Sequence, residues 1–251
     1  MCILFIAYQY HPDYPIILCA NRDEFHHRAT APAHLWPEGI VAGKDLQAGG
    51  TWLGCKINGA IAAVTNIRTN TPNDPTKLSR GELVTQALQE LITPAWLMQH
   101  SQDYNPFNLV FEYQQQLYCF HSPQQQLIPI SSGVHAICNG ALTDIWPKMA
   151  LGKQKLTQIL ESYRQPDLEQ LILMMQDETR PADHLLPQTG LPLAWEQQFS
   201  AIFIRHPDYG TRSTSIMLYH HSGKLQFLER RYNATGEQLG EFHISLMSGH
   251  G

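Results

Sequence analysis

The sequence predicts an α+β fold, a four-layer α/β/β/α sandwich of two antiparallel sheets, in a single domain spanning residues 1–251. Three observations point to it. Two almost unbroken apolar runs, residues 2–7 and 16–20, lie close together near the N-terminus, separated by the turn formers Pro12, Asp13 and Pro15. Neither run alternates polar with apolar, so both faces of the hairpin they form are expected to be covered. Finally, the order along the chain is strands, helices, strands, helices, strands, with neighbouring strands spaced as antiparallel pairs, which suits two packed sheets better than a doubly wound parallel one.

The elements follow in order. Residues 51–57 and 60–67 flank Asn58-Gly59, which predicts a hairpin with a two-residue type I′ turn. Between the two hairpins, residues 25–48 carry prolines and histidines and read as a loop. Ser79 and Glu82 form a capping-box pattern at the start of an amphipathic helix, and Thr93-Pro94 closes that helix and opens a second. A further hairpin is expected at residues 107–113 and 116–121, with a short strand at 135–139. Helices are expected at about 146–163, with Pro147 in the first turn, and at about 168–176. Residues 179–193 read as a loop, and strands return at 200–205, 213–219 and 224–230.

Composition narrows the function classes. With 251 residues, 43% hydrophobic, the chain can build a sizeable core without a cofactor to hold it together. A net charge of −5 and the absence of clustered Lys and Arg argue against nucleic acid or an anionic membrane as partner. The apolar stretch at residues 3–7 is too short and wrongly flanked for a signal peptide or membrane span. Five scattered cysteines with no CxxC pair indicate reduced thiols and a cytoplasmic location, and Cys19, Cys55 and Cys119 read as packed core thiols. Thirteen histidines include two adjacent pairs, but adjacent residues of a strand face opposite ways and no metal-binding spacing occurs, so no metal is expected. No Walker loop, GxGxxG or GxSxG motif is present.

The chemistry concentrates at Cys2. Initiator Met is removed when the second residue is small, so the mature chain is expected to begin with a cysteine whose own α-amino group, with a pKa of about 7.7–8.0, can take the thiol proton. Asn21, Arg22, Asp23 and Glu24 end the second apolar run, and the hairpin returns them beside Cys2. Arg22 can stabilise a thiolate there, and Asp23 can orient the amine. The glycines around Trp52 suggest a close backbone approach. Asn66, two residues before Arg68, and Asn139 each place an amide at a strand end, where it can donate to an oxyanion. Arg212 stands at the entrance of another buried strand.

Met1-Cys2, residues 21–24, Gly49 through Gly54, Thr65 through Arg68, Ser79-Arg80-Gly81, Asn139 with Trp146-Pro147-Lys148, and Gly210 through Ser213 together resemble the NRDE-motif family, also called the transport and Golgi organisation protein two family. The resemblance spans essentially the whole chain in order. Cys138 departs from it, standing where Ser is expected, as does the order Ser-Thr-Ser after Arg212. It implies an N-terminal nucleophile (Ntn) hydrolase-like fold and, by similarity to cysteine acylases, an amidohydrolase acting on a nonpeptide C–N bond of a small acyl substrate. The implied catalytic set is Cys2, Arg22, Asp23, Asn66, Asn139 and Arg212, with Asn21, Glu24, Trp52 and Arg68 contacting substrate. Those acylases separate the Arg and Asp, whereas Arg22 and Asp23 are adjacent. The resemblance also implies an alternative, haem or lipid/acyl-CoA binding and transfer in the same cleft without turnover. No resident cofactor is expected; the partner is a small-molecule substrate or a haem or lipid ligand.

Overall fold

In the computed structural model, residues 2–69, 71–141 and 143–248 are described. The two apolar runs become β1 (Cys2–Tyr8) and β2 (Ile16–Phe25). They pair antiparallel with Cys2 opposite Arg22 and Phe5 opposite Cys19. Side chains alternate between two cores, as strand geometry requires. Leu4, Ile6, Leu18 and Ala20 face the space between the sheets, whereas Ile3, Phe5, Ala7, Ile17 and Cys19 face the helices.

The chain continues with β3 (Thr30–Leu35), β4 (Ile40–Asp45), β5 (Leu53–Lys56) and β6 (Ile61–Asn66), then α1 (Arg80–Leu88), α2 (Pro94–His100), β7 (Phe107–Tyr113), β8 (Gln116–His121), β9 (Gln126–Pro129) and β10 (Gly133–Ile137). Three helices follow, α3 (Pro147–Ser162), α4 (Leu168–Met175) and α5 (Leu193–Gln198), and then β11 (Tyr209–Tyr219), β12 (Lys224–Tyr232) and β13 (Gln238–Met247). One sheet has the order β10-β1-β2-β11-β12-β13, and the other runs β3 to β9 in sequence order. The pairings are antiparallel throughout. Helices α3 and α4 cover the outer face of the first sheet, and α1 and α2 that of the second. The expected four-layer sandwich is the architecture observed, and among the described residues no helix is long and apolar enough to cross a membrane.

Several local expectations are corrected. Residues 25–48 are not a loop but contain β3 and β4. Pro32 is tolerated because β3 is an edge strand whose register slips between Ala31 and His34, where no ladder bond is required of its nitrogen. Residues 200–205 are apolar and buried but form no strand. Their backbone is satisfied individually: Phe203 N donates to the Asp177 carbonyl and Ile204 N to Thr211 Oγ1. Residues 179–193 lead directly into a short helix, α5. The edge strands β9 and β13 went unpredicted because their apolar content is diluted by exposed polar positions.

Turn chemistry differs as well. Gly59 has φ +90°, but Asn58 has no positive φ, so the connection is a three-residue loop, with Lys56 N bonded to the Ala60 carbonyl at 2.9 Å, rather than a type I′ turn. Ser79 is the N-cap of α1 but makes no side-chain capping bond, so there is no capping box; Thr93 does cap α2, accepting from Trp96 N at 3.1 Å.

Asn21 lies on the helix-facing side of β2. Its Nδ2 donates to the carbonyls of Met175 (2.8 Å) and Ile202 (2.9 Å), and its Oδ1 accepts from Thr214 at 2.6 Å. One amide thus ties the end of α4 and the irregular segment before β11 to the middle of the sheet. Asn21→Ala should destabilise the fold by about 1–3 kcal/mol, because three buried polar groups lose their partner; urea unfolding measures this, and an unchanged midpoint would contradict it.

Candidate active site

Cys2 opens the central strand β1, and its side chain lies on the face that looks between the sheets. At this end the sheets part around a cavity of about 510 Å³, lined among others by Cys2, Arg22, Trp52, Asn66 and Arg80. Among the described residues Cys2 is the one cysteine not fully buried; all five are free.

Strand alternation decides which members of residues 21–24 meet the thiol. Arg22, opposite Cys2 in register, projects to the same face. Its guanidinium lies 4.4 Å from the Trp52 ring centroid and donates to Thr30 Oγ1 at 3.1 Å. Asp23 projects to the other face, where its Oδ1 accepts from Thr211 Oγ1 at 2.7 Å and its backbone carbonyl from the Tyr209 hydroxyl at 2.8 Å. Its backbone N–H nevertheless lies close enough to the Cys2 sulfur to favour the thiolate. Glu24 returns to the cavity, its Oε1 accepting from Phe25 N at 2.9 Å.

Electrostatics at the site are dominated by burial. Desolvation pushes the Cys2 thiol above its ordinary value, reinforced by the Asp23 charge and opposed by Arg22 and the Asp23 N–H. Burial also raises Asp23, against the pull of Lys148 and Thr211. Tyr209 is raised well above the usual phenol range, by burial first and then by Asp23 and Glu24.

Two glycine-bearing segments shape the opposite wall. Thr51 N donates to the Gly81 carbonyl at 3.2 Å. A Cβ on Gly50 would stand 2.5 Å from the Gly81 carbonyl carbon, so the loop carrying Trp52 needs glycine where it meets α1. This contact brings Arg80, the first residue of α1, into the cavity within electrostatic range of Cys2.

The remaining predicted residues divide. Asn66, at the end of β6, lines the Cys2 cavity. Asn139 does not; it stands behind Asn66, its Nδ2 donating to the Asn66 carbonyl (2.9 Å) and Oδ1 (3.0 Å). Because Oδ1 of Asn66 is held by that bond, its NH₂ end turns away from Asn139. Arg68 lies with Asn139 in a neighbouring cavity. It forms a buried ion pair with Glu196 at 2.8 Å and stacks on Trp146 and Phe199 at 5.0 and 5.5 Å. Arg212 sits at the bulge of β11 and donates to the carbonyls of Phe25, His26 and Arg28, bracing the turn after β2. It lines a third recess, which shares Arg22 and Trp52 with the Cys2 cavity.

Sequence reasoning missed Arg80, Lys148, Tyr209, Arg28 and Asp45 as site-region residues. Arg80, Lys148 and Tyr209 stood inside motifs already singled out, at residues 79–81, 146–148 and 209–214. Nothing local marked the Arg28–Asp45 pair, which joins the turn after β2 to the end of β4 at 2.6 Å. Among the described residues no three His, Cys, Asp or Glu side chains group to hold a metal ion.

The fold and this site define a class, a four-layer sandwich whose central strand begins with a cavity-facing cysteine. The family model described as Transport and Golgi organisation 2 matches residues 1–234, and the chain belongs to that family. It is 30% identical over 256 residues to "Transport and Golgi organization protein 2 homolog" of Bos taurus, covering 92% of each chain. It is likewise 30% identical to the Homo sapiens homolog over 258 residues, again 92% of each. Among solved structures, a Caenorhabditis elegans N-acylethanolamine-hydrolyzing acid amidase ortholog aligns with 79% of this chain and 98% of its own, at TM-score 0.38 and 10% identity.

Cys2 should therefore be the single thiol that alkylates in the native state, and intact mass after iodoacetamide should show one adduct. With burial holding the thiol high, the alkylation rate of a chain that retains Met1 should still be climbing above pH 9. In a chain beginning at Cys2 the α-ammonium adjoins the sulfur and favours the thiolate, so the profile should move to lower pH. Coincident profiles for the two forms would contradict this.

Proposed function

We propose that the chain is an N-terminal cysteine nucleophile hydrolase acting on the amide bond of a small, nonpeptide acyl substrate. The observation that carries this reading is the meeting, at one cavity, of the Cys2 thiol with the Asp23 N–H, the Arg22 guanidinium and the Asn66 amide. Met1 itself lies outside the described residues, and the reading requires its removal.

In the proposed reaction the Cys2 sulfur attacks the amide carbonyl while its proton passes to the α-amine. Arg22 stabilises the thiolate, and Asp23, buried next to Cys2, orients the amine. The oxyanion that forms is met by the Asn66 NH₂, which Asn139 holds in place. The C–N bond breaks as the amine returns the proton to the leaving nitrogen, producing a thioester. Water then attacks the thioester, the α-amine taking a proton and returning it to sulfur, and the acid leaves with Cys2 restored. Arg212 supports the site by holding the turn after β2. Trp52, Glu24 and, from the adjoining cavity, Arg68 shape the space for substrate. Asn21, turned to the helix side, acts through the fold. The free thiols suit a reducing compartment such as the cytoplasm.

Intact mass should show loss of Met1, and retention would remove the catalytic amine. On a panel of acyl amides, Cys2→Ala and Cys2→Ser should abolish turnover, and Asn66→Ala should lower kcat by about 10²–10³-fold. Haem binding that ignores both Cys2 variants, with no amide turned over by the parent chain, would overturn the hydrolase in favour of a binding and transfer protein.

A further inference from the structure

Three buried or half-buried arginines of this protein are matched with carboxylates, whereas the half-buried Arg212 is held by backbone carbonyls. Arg68 has Glu196 at 2.8 Å, Arg28 has Asp45 at 2.6 Å, and Arg230 has Glu169 and Glu241 at 2.6 and 2.8 Å. Of the three guanidinium groups lining the Cys2 cavity, Arg28 is matched in this way, and Arg22 and Arg80 are not. Among the described residues, no carboxylate oxygen lies within 4.0 Å of Arg22 or Arg80. Arg22, only 5% exposed, donates to the neutral Thr30 hydroxyl, and Arg80, half-buried, to the Pro106 carbonyl at 3.0 Å. A guanidinium has five N–H donors, and a buried one held by neutral oxygens retains much of its desolvation cost.

The acidic groups of the same cavity are engaged with other partners. Asp45 is bound to Arg28, Asp74 accepts from the backbone and hydroxyl of Thr76, and Glu24 accepts from Phe25 N with its second oxygen 3.9 Å from Arg28. Asp23 turns to the other face of β2. Burial lowers the Arg80 pKa, and the largest opposing influences are Cys2 and Glu24.

We infer that the molecule taken up beside Cys2 carries an anionic group, a carboxylate, sulfonate or phosphate, and that Arg80 together with Arg22 seats it within the cavity. A planar guanidinium pair recognises any of these oxyanions through paired N–H donors. The cavity volume, about 510 Å³, is that of a small-molecule site. The inference rests on the reading of Cys2 as the reactive group. It assigns Arg80 a specificity role and makes the substrate an acyl amide bearing a negative charge close to the bond cleaved.

The test uses the full-length native chain and two alkylating reagents, iodoacetate and iodoacetamide, which differ in charge and little in size. Each transfers its carbon to the Cys2 thiolate as iodide leaves, so the readout needs no amide turnover, and failure of the hydrolase would leave it intact. The ratio of the iodoacetate to the iodoacetamide rate should exceed that of free N-acetylcysteine in the same buffer by about tenfold. Arg80→Gln should bring the ratio most of the way back to the free-thiol value, and Arg80→Lys should keep most of the preference. Inorganic phosphate should slow iodoacetamide in the parent chain and not in Arg80→Gln. A parent ratio equal to that of the free thiol overturns the inference whether or not the variants fold. So does a ratio that Arg80→Gln leaves unchanged, or a thiol that neither reagent reaches.

Discussion

The pairing of β1 with β2 at the centre of one sheet is the constraint on which the rest of the structure depends. Both strands are covered on both faces, so their backbone groups are satisfied almost entirely within the sheet, and their side chains must serve two cores at once. This double burial fixes the register with unusual force. A slip of one residue would exchange the helix-facing and sheet-facing sets and drive Arg22 into the apolar layer under α3. The same register places Cys2 opposite Arg22 where the two sheets part, so core packing and site geometry have one cause.

Polar residues around this centre serve two purposes. Asn21, Thr214 and Asp23 with Thr211 form buried hydrogen bonds on the helix side, anchoring irregular backbone that has no ladder of its own. On the sheet side, Arg22 rests on Trp52, Asn139 fixes Asn66, and the Arg68–Glu196 pair closes the neighbouring cavity. A buried pair of this kind adds little net stability, because desolvation offsets most of the attraction. Its effect is to define an orientation, here that of the strand end from which Asn66 projects.

Sequence reading found the strands with the strongest apolar signals and the helices with clear periodicity, and it found Arg22, Glu24, Trp52 and Asn66 around Cys2. It failed where tertiary context overrides local pattern. Residues 200–205 have the composition of a strand, yet the ladder position beside β2 is already taken by β11, and isolated side-chain and backbone partners satisfy their backbone instead. Residues 30–35 contain a proline that suggests a loop, yet an edge strand with a slipped register accommodates it. Asn58-Gly59 identified its hairpin but not the loop type, since one added residue changes the φ required of Asn58.

What the sequence by itself determined is the layered sandwich and the place of Cys2 at the mouth of a buried strand. Unbroken apolar runs can be satisfied only between two covering layers, and chain order sets which strand begins with the thiol. Only the tertiary structure decided which of residues 21–24 face the cavity, that Asn139 acts behind Asn66, and that Arg80 faces Cys2 from the far wall. Those outcomes depend on strand alternation relative to a particular register and on the contact between Gly50 and Gly81, which joins segments thirty-one positions apart.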